Sequence, residues 1–250
     1  MITTIAHLES RRLLRNMQTW VMVAIMAALF GYLFLKQLES FLVVQETLAA
    51  QDHPIGLSGF MSVRYLEPLC LAFTLVAPLF AMRSFSEEYR QQTFALWQSS
   101  PVSASALVTG KFLGVFAVLA MLIALACGML FIMKFYVAID IPLMLSAALG
   151  LILCTATCTA CGIYFSTLTH NSLIAIVASL ALLLFSWLLG SANFASLPVQ
   201  FLKDLSIANH LHGFFQGYIQ TKDIAFFVLS TALFLGLSII KIDALRHTGQ

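Results

Sequence analysis

Charge is what this sequence has least of. Only 10% of its 250 residues are Asp, Glu, Lys or Arg, against roughly 25% in a soluble domain. Hydrophobic residues make up 60% and the mean hydropathy is +0.94. No soluble fold of this length could hide so much apolar surface, so the solvent of the chain is lipid. The 13 Lys and Arg are scattered and the net charge is +2, which leaves no dense basic patch for nucleic acid. A P-loop is missing too: Gly110-Lys111-Phe112 has neither the upstream glycine at the required distance nor the following Ser or Thr. Cys70, Cys127, Cys154, Cys158 and Cys161 all fall in apolar runs. A disulfide framework belongs in the exposed loops of small secreted domains, so these are expected to be free thiols. Ser99-Ser100 and Thr155, Thr157 and Thr159 have no neighbouring base or oxyanion device, so nothing supports nucleophilic catalysis.

What is present is apolar length. A helix needs about 20 apolar residues to cross a bilayer, and six runs qualify, at about 17–35, 65–82, 106–133, 141–165, 173–190 and 224–240. From Ile141 to Gln200 there is no charged residue. That stretch is too long for one span and divides at Ser166-Thr-Leu-Thr-His170-Asn171-Ser172. The run 17–35 is too long for a signal-peptide core and is expected to stay as an anchor. The fold class expected is all-α: a polytopic membrane protein with six transmembrane helices, forming one transmembrane domain over 1–250. Six spans put both termini on one side. With the N-terminus inside, Arg11, Arg12, Arg15, Arg83, Arg90, Lys111, Lys241 and Arg246 lie inside, against Lys36, Arg64, Lys134, Lys203 and Lys222 outside. That is a modest positive-inside bias.

Between the spans, residues 2–16 suit an amphipathic helix on the membrane surface. His7, Arg11 and Arg15 form a polar stripe for lipid headgroups. Ile2, Ile5, Ala6 and Leu13 lie towards another face, which Glu9 interrupts. An outer loop is expected over 39–60, ending in the turn-rich Asp52-His-Pro54-Ile-Gly56. In 191–222, Ile207, Leu211, Phe214, Phe215 and Tyr218 draw one apolar stripe, expected as an outer interfacial or re-entrant helix. Pro68 and Pro78 are candidates to kink the second span.

The segment after the second span is the densest in charge. Arg83 to Glu87 is an i,i+4 pair and Glu87 to Arg90 an i,i+3 pair, so a water-facing helix here supports itself electrostatically. Phe94, Leu96 and Trp97 then add apolar surface, which wants a partner or lipid. Pro101 stops the helix, and Ser103 or Ser105 can cap the next one. Elsewhere, Gly150, Cys154, Cys158 and Gly162 recur at four-residue steps, with Cys161 beside them. A small-residue ladder for close helix approach accounts for the glycines as well; a soft-metal site of three thiols is the alternative. His210 and His212 diverge on a helix, so a shared metal is not expected and His210 suits a cap or hydrogen bond. Arg64 and Glu67 suit a local i,i+3 ion pair, or a substrate contact at membrane depth.

The stretch Arg83-Ser-Phe85-Ser-Glu87-Glu88-Tyr-Arg90-Gln-Gln-Thr93-Phe-Ala-Leu96-Trp-Gln-Ser-Ser-Pro101-Val, with Lys111 following, resembles the inner loop of ABC-2 type transporter permeases. It is most similar to the gliding-motility-associated and nitrous-oxide-reductase-maturation branch. Gln92 stands where that family has Gly, and Ala95 where it has Glu. Leu205-Ser206, His210, Phe214, Gly217, Ile219, Asp223 and Phe227 resemble the segment before the last span of the same branch. The resemblance implies a permease subunit of an ATP-driven exporter in a bacterial cytoplasmic (inner) membrane, with both termini cytoplasmic. Two such chains, identical or related, would sit over two cytoplasmic ATPase subunits that bind ATP and Mg; this chain would hold no cofactor or metal. The helix around 84–100 would be the coupling helix, with Phe85, Glu87, Glu88, Arg90, Thr93, Phe94, Leu96 and Pro101 making or supporting the ATPase contact. Reversing Glu87 and Glu88 together to Lys is then expected to spare insertion and uncouple ATP use. Two alternatives stand beside this: spans that act on a periplasmic accessory protein without transport, and an ATP-independent membrane enzyme or scaffold using His170, Arg64 and Glu67.

Overall fold

The computed structural model describes residues 1–49, 57–92, 102–135, 140–191 and 204–248. Among the described residues every regular element is helical. They are α1 (Ile2–Arg15), α2 (Met17–Ala49), α3 (Leu57–Met61), a π-helical turn (Ser62–Leu66), α4 (Glu67–Ala81), α5 (Ser86–Arg90), α6 (Ala104–Ile132), a 3-10 turn (Met133–Phe135), α7 (Ile141–Leu168), α8 (Ser172–Ser191), α9 (Ile207–Phe215) and α10 (Thr221–Thr248). Among the described residues six helical stretches are long and apolar enough to cross a membrane: Met17–Val43, Gly59–Arg90, Ala104–Ile132, Ile141–Leu168, Ser172–Gly190 and Thr221–Leu245. The chain is an all-α polytopic membrane protein.

The spans fall where hydropathy puts them, but several helices outrun the lipid. α2 continues through Ala49, where a loop was expected from residue 39. Lys36 and Glu39 are good helix formers, and Leu38 and Phe41 still pack against the core, Phe41 with its ring 5.5 Å from that of Phe60. The rest of the expected loop motif, Asp52 to Gly56, lies outside the described residues. The second span starts with the π-helical turn, whose wider winding moves Arg64 and Glu67 out of i,i+3 register. No salt bridge joins them; the Arg64 guanidinium instead lies 5.9 Å from the Phe60 ring. Pro68 follows the π-helical turn within a continuous helical stretch, so its missing N–H removes a bond to an upstream carbonyl, and Pro78 lies inside α4.

α7 is the central element, packed by α4, α6, α8, α9 and α10. Its four-residue stripe is the close-approach surface. A Cβ on Gly150 would come within 2.8 Å of Phe214 Cβ in α9, and one on Gly162 within 2.8 Å of Ala81 Cβ and 3.0 Å of Pro78 Cα in α4. Between them Thr74 of α4 reaches Cys154 Sγ at 3.9 Å and Cys158 Sγ at 3.7 Å, and accepts the Trp187 indole N–H at 3.3 Å. The five cysteines are free thiols. The stripe therefore seats two neighbouring helices, as small residues do in membranes. On α2, α8 and α10, side chains such as Ile25, Val177 and Leu229 are exposed from the bundle and suit lipid.

α9 is tucked into the bundle rather than spread on its surface: Ile207, Leu211, Phe214 and Phe215 are buried. Tyr218 departs from the predicted stripe, because α9 ends at Phe215 and Gly217, with φ +83°, turns the chain outward, leaving Tyr218 exposed. The last carbonyls of α9, which have no partner within their own helix, accept from Ser146 (to Phe214, 2.9 Å) and Ser62 (to Phe215, 2.6 Å). His210 joins α9 to α10, with Nδ1 2.7 Å from Asp223 Oδ1 and Nε2 2.8 Å from the Asp204 carbonyl. His212 points away to Gln216, so the two histidines diverge.

α1 packs against α6 through two glycines. A Cβ on Gly110 would come within 2.8 Å of Ile5 Cβ, and one on Gly114 within 2.7 Å of Glu9 Cβ and 2.9 Å of the Ala6 carbonyl oxygen. His7, Arg11 and Arg15 are exposed, as the polar stripe predicts, and Ile5 faces inward. Glu9 does not break the apolar face but is buried with it. Gly114→Ala is expected to destabilise the purified chain by about 1–3 kcal/mol through overpacking. Gly128→Ala, with open space around it, is expected to be neutral or stabilising by up to about 1 kcal/mol from helix propensity. Thermal unfolding in detergent checks the difference in sign.

Candidate functional site

The site lies at the end of the bundle where α1, α5, the start of α6 and the α7–α8 turn meet. Its centre is Lys111. Placed about two turns into α6, its side chain is 1% exposed. An ammonium removed from water needs partners, and four surround it. Glu88 Oε1 lies 2.5 Å from Nζ, Glu9 Oε2 lies 3.9 Å away, the Ser84 carbonyl accepts a hydrogen bond, and the Phe85 ring centroid is at 4.6 Å. The last is a cation–π geometry. Arg12 of α1 closes the network at the rim, 3.8 Å from Glu9, 3.8 Å from Glu88 and 3.5 Å from Glu87. Two carboxylates thus answer one buried ammonium, and a guanidinium at the water's edge shares both of them.

The local chain path explains how α5 reaches this centre. The sequence predicts an unbroken helix from the second span into the charged segment, but α4 stops at Ala81 and α5 begins at Ser86. Ser166, at the far end of α7, imposes the break. Its hydroxyl accepts from the backbone N–H of Phe85 (3.0 Å) and Ser86 (3.1 Å) and donates to the Met82 carbonyl (2.8 Å). Those are backbone groups that a continuous helix would have paired within itself. Ser86 adds hydrogen bonds to the Met82 carbonyl and to Ser172 of α8, the latter at 3.0 Å. One consequence is that the expected Arg83–Glu87 pair does not form: Arg83 hydrogen-bonds Gln18 at the start of α2. The expected Glu87–Arg90 pair does form, at 3.8 Å.

The residues singled out from the sequence therefore divide. Phe85 and Glu88 face inward, with Phe85 fully buried and Glu88 joined to Lys111. The expectation that the whole charged segment faces water fails at Glu88, because the carboxylate follows the buried ammonium. Glu87 is at the rim, and Arg90 has a side chain 71% exposed. Thr93, Phe94, Leu96 and Pro101 lie outside the described residues. Ser103 caps α6, accepting from the Ala106 N–H at 3.2 Å, as predicted. Sequence reasoning missed Glu9, Arg12 and Ser166 as members of the site. Lys111 carried a signal, being the lone charge in an apolar run, and such residues are costly enough to mark function. Glu9 carried another, as the one acid on an otherwise apolar helix face.

Among the described residues no group of three or more His, Cys, Asp or Glu side chains is placed to hold a metal. The arrangement ties a short polar helix to α1, α6, α7 and α8 at once. Lys111→Met leaves two carboxylates facing one another without their ammonium. It is expected to cost about 3–5 kcal/mol, the range for breaking a buried pair. Combining it with Glu88→Gln is expected to recover part of that loss, and a double-mutant cycle on thermal unfolding measures the coupling.

No curated protein matches the chain. The sequence profile of the ABC-2 family transporter proteins matches residues 3–241, a span that runs from the first turn of α1 into the last turns of α10 and includes every residue of the Lys111 network. Six apolar spans, a polar helix bound into them through a buried ion cluster, and a family match over nearly the whole length agree: the chain belongs to the ABC-2 family of transporter proteins.

Proposed function

We propose that this chain is the transmembrane permease subunit of an ATP-driven exporter, forming a single transmembrane domain over its full length. α5, with the segment that follows it, is the seat for a separate cytoplasmic ATPase subunit. Two permease chains, identical or related, stand over two ATPase subunits, and ATP with Mg binds only in those partners. The Lys111 end is cytoplasmic, in keeping with the positive-inside bias, and the membrane is the bacterial inner membrane. Within the family the gliding-motility and nitrous-oxide-reductase-maturation branch remains the reading favoured by the residues around Arg83 and His210.

The observation that carries this reading is the two-sided character of α5. Its inner side, Phe85 and Glu88, is bound to Lys111 and Ser166. Its outer side presents Arg90 and the rim carboxylate of Glu87. A helix of this kind can receive a displacement on one side and pass it to several spans on the other. ATP shifts the spans only by its differential affinity for their two states, so the link must be stiff, and a buried hydrogen-bonded ion pair is stiff. Phe85 and Glu88 then support the contact, and Glu87, Arg90, Thr93, Phe94, Leu96 and Pro101 form or flank it.

The burial of Glu88 changes the informative mutant. Glu88→Lys would place a second ammonium beside Lys111 and disturb folding, so it cannot report on coupling. Glu87→Lys with Arg90→Glu reverses the outer side and keeps its net charge. In the reconstituted complex with the co-purifying ATPase, this double variant loses the Arg12–Glu87 contact at the rim but keeps the buried Lys111–Glu88 pair, and is expected to insert and assemble. Its permease-stimulated ATP hydrolysis is expected to fall by about five- to 150-fold, the range of typical coupling energies. Stimulation at the wild-type level would place the ATPase seat away from α5.

A further inference from the structure

Beside the Lys111 network the same end of the bundle opens into two adjoining hollows that share His170. The larger, about 610 Å³, is lined by Arg83, Arg90, Asn171 and Leu173 among others. The smaller, about 290 Å³, is lined by Tyr89, Lys241 and Leu245 among others. They lie at the α7–α8 turn, between the ends of the apolar stretches Ile141–Leu168 and Ser172–Gly190, a position that a bilayer around those stretches would bring near its headgroups. The buried Lys111–Glu88 pair lines neither hollow, while Glu87, at the rim of the ion network, also lines the larger one.

The charges around His170 do not balance. Among the described residues Glu87 is the one acid lining the larger hollow, and it is already shared between Arg12 and Arg90. Arg83 donates to a neutral partner, Gln18, and among the described residues no carboxylate forms a salt bridge with Arg83 or Lys241. Each hollow is thus lined by one cation without a salt-bridge partner among the described residues, Arg83 in the larger and Lys241 in the smaller. Apolar side chains adjoin the cations: Leu168 in the smaller lining, Leu173 in the larger and the next residue on α8, Ile174, are all exposed. Cationic depth with an apolar exit suits a molecule that is anionic at one end and hydrocarbon at the other. Basic pockets between spans hold anionic headgroups in this way.

We infer that the paired hollows around His170 bind the phosphate headgroup of an anionic phospholipid of the adjacent leaflet. Arg83 and Lys241 carry the phosphate, and the Leu173–Ile174 face of α8 receives an acyl chain. A soluble phosphate compound would use the cations but not the apolar exit. The larger hollow shares Glu87 and Arg90 with the outer side of α5, so lipid binding is measured on the chain without an ATPase, where the lipid site and the ATPase seat can fail separately.

Native mass spectrometry of the full-length chain in detergent, titrated with phosphatidylglycerol, phosphatidylcholine or sodium phosphate, tests it. The wild type is expected to retain phosphatidylglycerol at least about tenfold more tightly than phosphatidylcholine, with sodium phosphate unable to displace it at equal concentration. Arg83→Gln with Lys241→Gln is expected to lose that preference. Arg83→Lys with Lys241→Arg should keep it, which shows that charge rather than folding is read. Lys134→Gln with Lys222→Gln removes the same charge from exposed positions outside both hollows and should also keep it. The site is overturned if the Gln pair at 83 and 241 binds like the wild type, or if the pair at 134 and 222 loses binding equally. Displacement by sodium phosphate at equal concentration overturns the lipid as occupant and assigns the hollows to a soluble anion.

Discussion

A lysine ammonium cannot remain alone in an apolar helix bundle, and the end of this molecule is organised by that constraint. Lys111 sits on α6 with its side chain 1% exposed. Its charge has to be answered by groups from other elements, and the nearest carboxylates come from α5 and α1. Burying a charge without partners costs far more than the packing of one side chain returns. The positions of α1 and α5 are therefore conditions for α6 to be where it is. Gly110 and Gly114 allow α1 to come close enough for Glu9 to reach in, and Ser166 bends the chain after α4 so that Glu88 turns inward.

The two ends of the bundle solve the same problem differently. At the Lys111 end, ions from three helices meet in one cluster, with Arg12 as its outer clasp. At the other end, serine hydroxyls satisfy the last carbonyls of α9, and His210 clips α9 to α10 through Asp223. Between them runs the α7 stripe of glycines and cysteines, where backbone contact rather than charge holds α4 and α9. In lipid, where burial of apolar surface gives little drive for helices to associate, such contacts and hydrogen bonds carry the packing. The ion cluster at one end is joined to the central helix through the Ser166 hydrogen bonds to Phe85 and Ser86, the connection on which the proposed coupling through α5 depends.

The sequence displayed the spans plainly, because membrane helices are set by apolar length alone and 60% of residues are hydrophobic. The polar run around His170 marked the α7–α8 turn, and the spacing of Ile207, Leu211, Phe214 and Phe215 marked α9, since both are local signals. The site was legible only in part. Periodicity treats a charge as surface, so Glu9 read as a flaw in an amphipathic face and Glu88 as a solvated acid. Their burial depends on a lysine 102 and 23 residues away, respectively, along the chain. The α4–α5 break was invisible for the same reason, since local i,i+4 pairing favours a continuous helix and the group that interrupts it is Ser166 of α7. Long-range polar contacts leave no periodic trace, and here they build the site.

The most direct test of the account is the composition of the native assembly. Native mass spectrometry of the tagged chain, gently solubilised from its own membranes, is expected to show two permease chains with two copies of a soluble subunit that carries a P-loop. A chain that repeatedly emerges alone or with other partners, while an established ABC complex survives the same preparation intact, would contradict the central claim that α5 is the seat of an ATPase.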